Sequence, residues 1–428
     1  MKVVVVGLWH LGTVTAACLA SAGHSVAAFD PDTRVVEGLA AGQSPVAEPG
    51  LPELIQSGIK SRALKFLAER ADAIRDAEIV WITFDTPVSE DDVADVDAVV
   101  RQVEACFPHI SDRAVIVCSS QLPVGTIRSL ERAWTVGAGG RTVSFACCPE
   151  NLRLGKALDT FRNPDRVIVG VRDEWARARV RDLFSPITDR LEWMSVESAE
   201  MTKHAVNAFL ATSVTFINEI ATLCERVGAD AREVERGLRT ERRIGPRAYL
   251  GPGAAFAGGT LARDVTFLQS LGVEVDRPTP LMNGVLASNA AHGLWARRKL
   301  ESSVAPLAGT KVAIWGLTYK PGTDTLRRSP GIELCKWLVS QGADVHVHDP
   351  AVRNLPDDLP VVRHQDPLDA VAGARALVVA TSWPSYGKID AERLASIAPD
   401  LLVIDANRFL GAVLDKHPGF RLVSVGQP

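Results

Sequence analysis

The chain has 428 residues, of which 46% are apolar and 23% are charged, and its net charge is −4. A chain of this length is expected to form two or three packed domains. The nearly balanced charge excludes the strongly basic surface that is typical of nucleic-acid-binding proteins or of polybasic membrane-binding proteins. We therefore expect neither nucleic acid nor a membrane as a partner.

Seven cysteines are scattered along the chain without a C-x-x-C pair, so their spacing predicts neither a disulfide framework nor a zinc site, and no other metal site is predicted. The apolar run at the N-terminus is too short for a signal peptide, and no stretch of about 18 uninterrupted apolar residues follows. We expect a protein of the reducing cytoplasm.

The first 30 residues alternate between strand and helix patterns. Residues 2–7 are a β-branched run, residues 8–23 have helical composition, and residues 24–30 form a second strand pattern that ends in Asp30. This order predicts one βαβ unit. Further strand-like runs follow at Ile79–Thr83, Ala114–Cys118, Thr142–Cys147 and Val167–Val171. The alternation is typical of a mostly parallel sheet.

From Ser198 onwards the pattern changes to a long segment without glycine or proline, which ends at Gly228. Such a segment predicts a long connecting helix, and a second helix follows it. Near Gly309 a second alternation of strands and helices begins. The predicted fold class is therefore α/β, with two Rossmann-like doubly wound domains joined by a long central helix.

The first βα turn, GLWHLG at 7–12, matches the first and last glycines of the dinucleotide fingerprint G-x-G-x-x-G, whereas Trp9 replaces the middle glycine. Asp30, at the end of the second strand, is placed to accept hydrogen bonds from ribose hydroxyls and to repel a 2′-phosphate, which favours NAD over NADP. An ordinary βαβ turn without a ligand is the alternative. The predicted dinucleotide-binding residues of this unit are Gly7, Trp9, His10, Leu11, Gly12 and Asp30.

Several segments in order resemble the UDP-glucose/GDP-mannose dehydrogenase family over almost the whole chain. They are TAACLASAGHSV at 15–26, SPVAEPGLPEL at 44–54, PVGT at 123–126, PENLRLGKA at 149–157, NPDRVIVG at 163–170, ESAEMTKHAVNAFLAT at 197–212, RIGPR at 243–247 and GLTYKPGTDTLRRSP at 316–330. The resemblance implies an enzyme that oxidises a sugar hydroxyl of a nucleotide sugar, UDP-linked above all, with NAD as oxidant.

The resemblance also implies the roles of three regions. Residues 1–196 would form the NAD-binding domain, residues 197–300 a central helical domain that makes a homodimer or a higher homo-oligomer, and residues 301–428 the domain that binds the UDP of the substrate. Substrate and nicotinamide would meet between the two end domains.

Lys203 and Asn207 stand four residues apart within otherwise apolar sequence, so they share one face of the long helix. In the family, the matching lysine and asparagine stabilise an oxyanion and hold a water; an amphipathic stripe at a helix interface is the alternative. Asp264 matches the family aspartate that orders this water, and Glu150 matches an acid that lies beside the nicotinamide. For both residues, a carboxylate that caps a helix is the alternative. Gln121 falls on a threonine that helps to orient the water.

The glycine-rich segment before Asp264 departs from the family pattern. Counting back from Asp264 places Thr260 where the family has its nucleophilic cysteine, and Arg263 falls on the family lysine. A threonine hydroxyl is much less acidic than a thiol and needs an adjacent base to act as a nucleophile. Thr86 and Arg263 complete the residues predicted to contact the dinucleotide.

The remaining candidates concern the nucleotide sugar. Basic residues that match the family are expected to hold the diphosphate or to reach the substrate, sometimes across a subunit interface, because a guanidinium can hold two phosphate oxygens. Each is otherwise a solvated surface charge. The predicted substrate-binding residues are Arg243, Phe256, Gly258, Lys320 and Arg327.

Together these residues predict that the first hydride transfer is retained while covalent trapping of the aldehyde is weakened or lost. The expected enzyme would stop at the two-electron aldehyde or ketone. A four-electron enzyme that oxidises the hydrated aldehyde is one alternative, and Cys148, beside Glu150, is a minor candidate for the missing nucleophile. A nucleotide or nucleotide-sugar binding protein with impaired catalysis, suggested by Trp9 and Thr260, is another.

Overall fold

The computed structural model describes residues 1–87, 94–137, 139–257, 259–415 and 417–428. Gly258, one of the predicted substrate-binding residues, lies outside the described residues. The chain divides into two compact units, Met1–Ala205 and Val206–Pro428. This division falls inside the long central helix, and the predicted domain limits at 196/197 and 300/301 stay a prediction.

The first unit is built on an eight-stranded sheet with the order β3-β2-β1-β4-β5-β6-β7-β8, in which only the pairing of β6 with β7 is antiparallel. Its strands are β1 Lys2–Val6, β2 Ser25–Phe29, β3 Leu64–Leu67, β4 Ile79–Ile82, β5 Val115–Cys118, β6 Ser144–Cys147, β7 Val167–Val171 and β8 Leu191–Met194. Alternate residues of β1 belong to two different hydrophobic clusters, so both faces of the sheet are buried.

Helices cover both faces of this sheet. They are α1 His10–Ser21, α2 Thr33–Ala40, α3 Leu51–Lys60, α4 Arg70–Ile74, α5 Val96–Glu104, α6 Thr126–Gly137, α7 Ala157–Arg162 and α8 Glu174–Phe184, with a 3₁₀ turn at Phe107–His109. Several begin at an aspartate whose side chain accepts a hydrogen bond from the first turn, as at Asp32, Asp95 and Asp173.

The helix α9, Val196–Val227, confirms the predicted connecting helix and continues from the first unit into the second. Among the described residues it is the one helix that is long and apolar enough to cross a membrane by length and composition. It nevertheless buries Glu200, His204 and Asn207, and each of these side chains is hydrogen-bonded to another element of the protein. Such contacts are those of a helix packed within a protein.

The second unit carries a six-stranded, all-parallel sheet with the order β11-β10-β9-β12-β13-β14. Its strands are β9 Lys311–Trp315, β10 Asp344–His348, β11 Val362–Arg363, β12 Ala376–Val379, β13 Leu401–Ile404 and β14 Phe420–Val423. Its helices are α10 Ala231–Thr240, α11 Thr260–Glu274, α12 Pro280–Gly293, α13 Trp295–Val304, α14 Pro330–Ser340, α15 Pro367–Val371, α16 Ala391–Ile397 and α17 Gly411–Leu414, with a 3₁₀ turn at Tyr386–Lys388.

Both sheets reverse their strand order beside the first strand of the unit, and both repeat the same turn there. Gly7 after β1 has φ 99° and Gly316 after β9 has φ 93°. The carboxylates of Asp30 and Asp349, at the ends of the neighbouring strands, each accept a hydrogen bond from the amide that follows the glycine, at 2.6 and 2.7 Å. Two doubly wound domains are therefore confirmed, and ligands of such sheets bind at this reversal.

Candidate active site

The turn after β1 has the close packing that a dinucleotide-binding turn requires. A Cβ on Gly7 would lie 2.7 Å from the amide nitrogen of Phe84, and a Cβ on Gly12 would overlap the carbonyl oxygen of Gly7. Trp9 is the N-cap of α1 and remains 50% exposed, so it does not fill the turn. The first amides of α1 have no partner within the helix and favour an anion. The turn therefore fits the pyrophosphate of NAD.

Asp30 also fits its predicted role. Its carboxylate accepts hydrogen bonds from the amides of Leu8 and Asp32, at 2.6 and 2.9 Å. Because a carboxylate has about four acceptor positions, two remain for the hydroxyls of a ribose. The same charge would repel the 2′-phosphate of NADP.

Glu48 is a buried residue of the first unit that the sequence did not single out, although it lies in the segment at 44–54. Its carboxylate contacts the imidazole Nε2 of His10 at 3.1 Å and accepts hydrogen bonds from the amides of Gly155 and Ala157. An acid directly before Pro49-Gly50 at the start of a helix was the available signal. The amides it binds come from distant segments, which spacing alone does not reveal.

Lys203 lies against Glu150, the acid that follows β6. Its Nζ donates a hydrogen bond to the Glu150 carbonyl oxygen at 2.5 Å and lies 3.6 Å from the carboxylate. Both side chains are mostly buried, at 13% and 26% exposed. They line a cavity of about 20 Å³, enough for one water, together with Gln121. The structure thus brings these three predicted residues together.

The loops around this cavity are held by buried polar side chains of α9. The carboxylate of Glu200 accepts hydrogen bonds from the amides of Gly125 and Ile127 at the start of α6, and burial raises the pKa of this carboxyl. The imidazole of His204 is hydrogen-bonded to the Leu122 carbonyl oxygen at 2.9 Å. Thr86, in the loop after β4, is buried, and its hydroxyl donates a hydrogen bond to the Gln121 carbonyl oxygen.

In the second unit, Asn207 and Asp264 form a buried pair. Asp264 on α11 is entirely buried, and the Asn207 amide donates a hydrogen bond to its carboxylate. Thr260 is the first residue of α11 and is exposed, one helical turn before Asp264. Arg263, beside Asp264, is partly buried. The position that lacks the family thiol therefore shares a helix face with an intact acid–amide pair.

The segment before α11 is fixed through its backbone. The side-chain amide of Asn289 pairs with both the amide and the carbonyl of Phe256, each at 3.0 Å. Gly253 donates to the side-chain oxygen of Asn218, and its carbonyl is hydrogen-bonded to His292. The sequence did not indicate these three supporting side chains, because each lies on a helix distant in sequence from the loop.

The basic residues predicted for the nucleotide sugar have different surroundings. Lys320 lies 5.3 Å over the ring of Tyr319 and is partly buried, whereas Arg327, in the same loop after β9, is exposed. The side chain of Arg243 is 88% exposed and forms an ion pair with Glu241 at 3.0 Å. Arg243 lies on the segment after α10 and is not part of the loop that carries the other two.

All seven cysteines are free and buried. Burial raises the pKa of the Cys148 thiol to about 12 and that of Cys147 well above its usual range. Because the thiolate is the reactive form, neither residue has the accessible, acidic thiol of a catalytic cysteine. The minor candidate Cys148 is therefore not supported as the missing nucleophile.

Comparison with protein families matches three consecutive models of the UDP-glucose/GDP-mannose dehydrogenase family. The NAD binding domain matches residues 1–188, the central domain residues 197–291 and the UDP binding domain residues 313–412. These matches cover most of the chain in the order that the resemblance implied.

Relatives with known names are similar to this chain over nearly their whole length. The chain is 34% identical to a UDP-glucose 6-dehydrogenase of Rhizobium meliloti over 100% of both chains, and 32% identical to one of Pseudomonas aeruginosa over 100% of this chain and 98% of the relative. It also resembles the solved structure of a UDP-glucose dehydrogenase from Pyrobaculum islandicum, with TM-score 0.89 and 30% identity over 100% of this chain and 98% of that one.

Proposed function

Because the chain belongs to the UDP-glucose/GDP-mannose dehydrogenase family and is an NAD-dependent oxidoreductase acting on CH–OH groups, we propose that it oxidises a UDP-sugar hydroxyl by two electrons only. The observation that carries this proposal is Thr260, at the start of α11 and one turn from the buried Asn207–Asp264 pair. The residues suited to the first oxidation are retained, and the thiol suited to the second is not.

In this proposal the three regions keep the roles expected from the family. Residues 1–196 bind NAD through the turn at 7–12, Asp30 and Thr86, and Arg263 of the central region also contacts the dinucleotide. Residues 301–428 bind the UDP group, with Lys320 and Arg327 compensating the charge of the diphosphate. Phe256 and Arg243 contact the substrate. The close packing at Gly7 and the acceptor positions left on Asp30 support the first of these roles.

NAD held by the turn at 7–12 and Asp30 would supply the acceptor for the hydride of the sugar carbon, and the hydroxyl proton would be left for the protein to remove. The ammonium of Lys203 stabilises the negative charge that develops on the substrate oxygen, as preorganised charges do in other active sites. Its contacts with Glu150 hold that ammonium in place. Asp264, kept in position by Asn207, orders a water that carries the proton away, and Gln121 helps to orient this water.

A second oxidation of the resulting aldehyde normally begins when a cysteine sulfur bonds to its carbonyl carbon. The tetrahedral adduct loses a second hydride to give a thioester, which water hydrolyses to the acid. A cysteine suits this step because its thiol has an ordinary pKa of about 8.5, whereas a threonine hydroxyl stays protonated near neutral pH. With Thr260 in this place, the aldehyde or ketone is released without the covalent step.

The test measures the NADH formed per molecule of sugar consumed. Purified protein is incubated with NAD and a panel of UDP-, GDP-, CDP- and dTDP-sugars, and the products are identified by mass. One equivalent of NADH with an aldehyde or ketone product supports the proposal. Two equivalents with a uronic acid would contradict it and would support oxidation of the hydrated aldehyde.

A binding protein with impaired catalysis is the second candidate, favoured by two substitutions in the sequence: Trp9 for the middle glycine of the turn and Thr260 for the family cysteine. Calorimetry separates the two functions. A protein that binds a UDP-sugar but not NAD, and forms no NADH with any sugar of the panel, would have the second function.

We also propose that the protein is a cytoplasmic homodimer or higher homo-oligomer. On α9, Phe209, Phe216 and Leu223 recur every seven residues and remain 69%, 48% and 61% exposed in the single chain. An apolar stripe with this spacing is typical of a helix that packs against a second helix. The seven free thiols agree with a reducing compartment.

A further inference from the structure

Glu48 is a loop residue whose carboxylate is buried and hydrogen-bonded to two separate segments of the first unit. Its side chain is only 1% exposed, so its charge is withdrawn from water and must be balanced by donors within the protein. Three donors surround it: the Gly155 amide at 2.7 Å, the Ala157 amide at 2.8 Å and the imidazole Nε2 of His10 at 3.1 Å. Both carboxylate oxygens are used.

These donors come from two segments with different proposed tasks. His10 is the first residue of α1 and follows Trp9 in the dinucleotide turn. Gly155 and Ala157 end the segment that begins at Pro149-Glu150, and Ala157 opens α7. One buried carboxylate thus connects the turn that fits the NAD pyrophosphate with the segment that presents Glu150 to Lys203.

We propose that Glu48 is a positioning residue for both segments, and that His10, oriented by Glu48, contacts NAD at the turn. A carboxylate bound to one imidazole nitrogen determines the orientation of the ring and the position of its protons. With its Nε2–H donated to Glu48, a neutral His10 imidazole leaves Nδ1 as an acceptor, which suits a hydroxyl group of the dinucleotide. This inference rests on the proposed use of NAD and Glu150 in catalysis.

A simpler role for Glu48 would be to cap α7. A capping carboxylate stabilises the helix that it caps and its loss is felt locally. A positioning residue that is bound to two segments affects both of them, and Glu48 acts on the dinucleotide turn by holding His10. The two roles therefore predict different results when Glu48 and His10 are changed separately and together.

The first experiment measures NAD binding by calorimetry with the full chain. If the wild type does not bind NAD, the proposed function and the contact of His10 with NAD both fail, and the positioning role of Glu48 is decided by the second experiment. In Glu48→Gln, a single amide oxygen replaces two acceptors, and we expect the Kd for NAD to rise about tenfold, the effect of one hydrogen bond to a charged group. His10→Ala should raise it by a similar factor, and the double variant by no more than either single one. Glu53→Gln, on the exposed surface of α3, is the matched control and should bind NAD like the wild type.

The second experiment follows amide hydrogen exchange by mass spectrometry without NAD or substrate. Glu48→Gln should accelerate exchange both in residues 8–12 and in residues 150–157, whereas His10→Ala should do so in residues 8–12 alone. Faster exchange confined to residues 155–162, with an unchanged Kd, would reduce Glu48 to a helix cap. If the Kd for NAD in the double variant rises by the product of the two single factors, the two residues act independently and the proposal that Glu48 acts through His10 is wrong. If Glu48→Gln does not fold, an unchanged Kd in His10→Ala overturns the proposal and a raised Kd supports it.

Discussion

Replacing Asn207 by leucine tests the buried pair on which the proposed water and proton transfer depend. The substitution has nearly the same volume and a good helix propensity, so α9 should continue unchanged. It removes the amide that donates to Asp264, a carboxylate with no exposed surface. The variant therefore asks what this single donor contributes to stability and to catalysis.

The expected loss of stability follows from the burial of Asp264. A hydrogen bond to a charged group contributes about 1.5–3 kcal/mol, and an unsatisfied buried charge costs more than an exposed one. Asp264 makes further interactions, so its charge is not left alone. We expect a loss of about 2 kcal/mol in the free energy of unfolding and a fall in kcat of about 10²-fold, the lower range for losing one catalytic donor.

Urea unfolding measures the stability, and steady-state formation of NADH measures kcat at saturating NAD. Asn283→Leu is the matched control, because Asn283 lies exposed on α12 and its amide oxygen accepts a hydrogen bond from the side chain of Gln269. It should lose less than about 0.5 kcal/mol and keep its rate. Equal losses in both variants, or an Asn207→Leu protein with the stability and rate of the wild type, would show that the Asn207–Asp264 hydrogen bond does not have this role.

Three other predictions concern the substituted nucleophile, the exposed stripe and an ion pair. Thr260→Cys should raise the NADH yield from one to two per sugar, because a thiol can trap the aldehyde, and an unchanged rate and product would show that Thr260 is not the determinant. Phe216→Glu should convert the oligomer to monomers in sedimentation, since it places a charge in the apolar stripe of α9; an unaltered sedimentation coefficient would exclude this face. Hydrogen bonds from Arg172 lower the pKa of Glu197 to about 2, so this carboxylate stabilises the protein above its unfolded pKa of about 4.5 and the stabilisation is lost as the pH falls towards 2. Arg172→Met should thus be less stable than the wild type by about 1 kcal/mol at pH 7 and equal to it near pH 2, and a difference independent of pH would contradict the assignment.

The strands of the fold could be predicted closely because most are apolar runs buried on both faces. The run predicted at Ile79–Thr83 became β4, Ile79–Ile82, and the run at Val167–Val171 became β7 with the same ends. Such runs have few alternatives in a parallel sheet. The antiparallel pairing of β6 with β7 was not predicted, since strand direction depends on how the connecting chain returns and not on composition.

The candidate site could be predicted in part. Lys203 and Asn207 were expected on one helix face, and that follows from the helical repeat alone. Their hydrogen-bond partners could not be predicted, because they lie far away in the sequence. Lys203 binds Glu150 in the first unit, and Asn207 binds Asp264 in the second. Asn289 could not be predicted, because its side-chain amide pairs with the backbone of Phe256, 33 residues away in the chain.

The features that could be predicted without a structure are covalent or local. The absence of a thiol at Thr260 is a property of the chain itself. The turn at 7–12 and the position of Asp30 directly after β2 could be predicted because a βαβ unit is determined by short-range geometry. Which groups lie away from water depends on how the elements pack. The tertiary structure buried Cys148 and so raised the pKa of its thiol, and it brought Glu48 to amides 107 and 109 residues further along the chain. Burial and long-range pairing depend on how whole elements pack, and no local pattern encodes them.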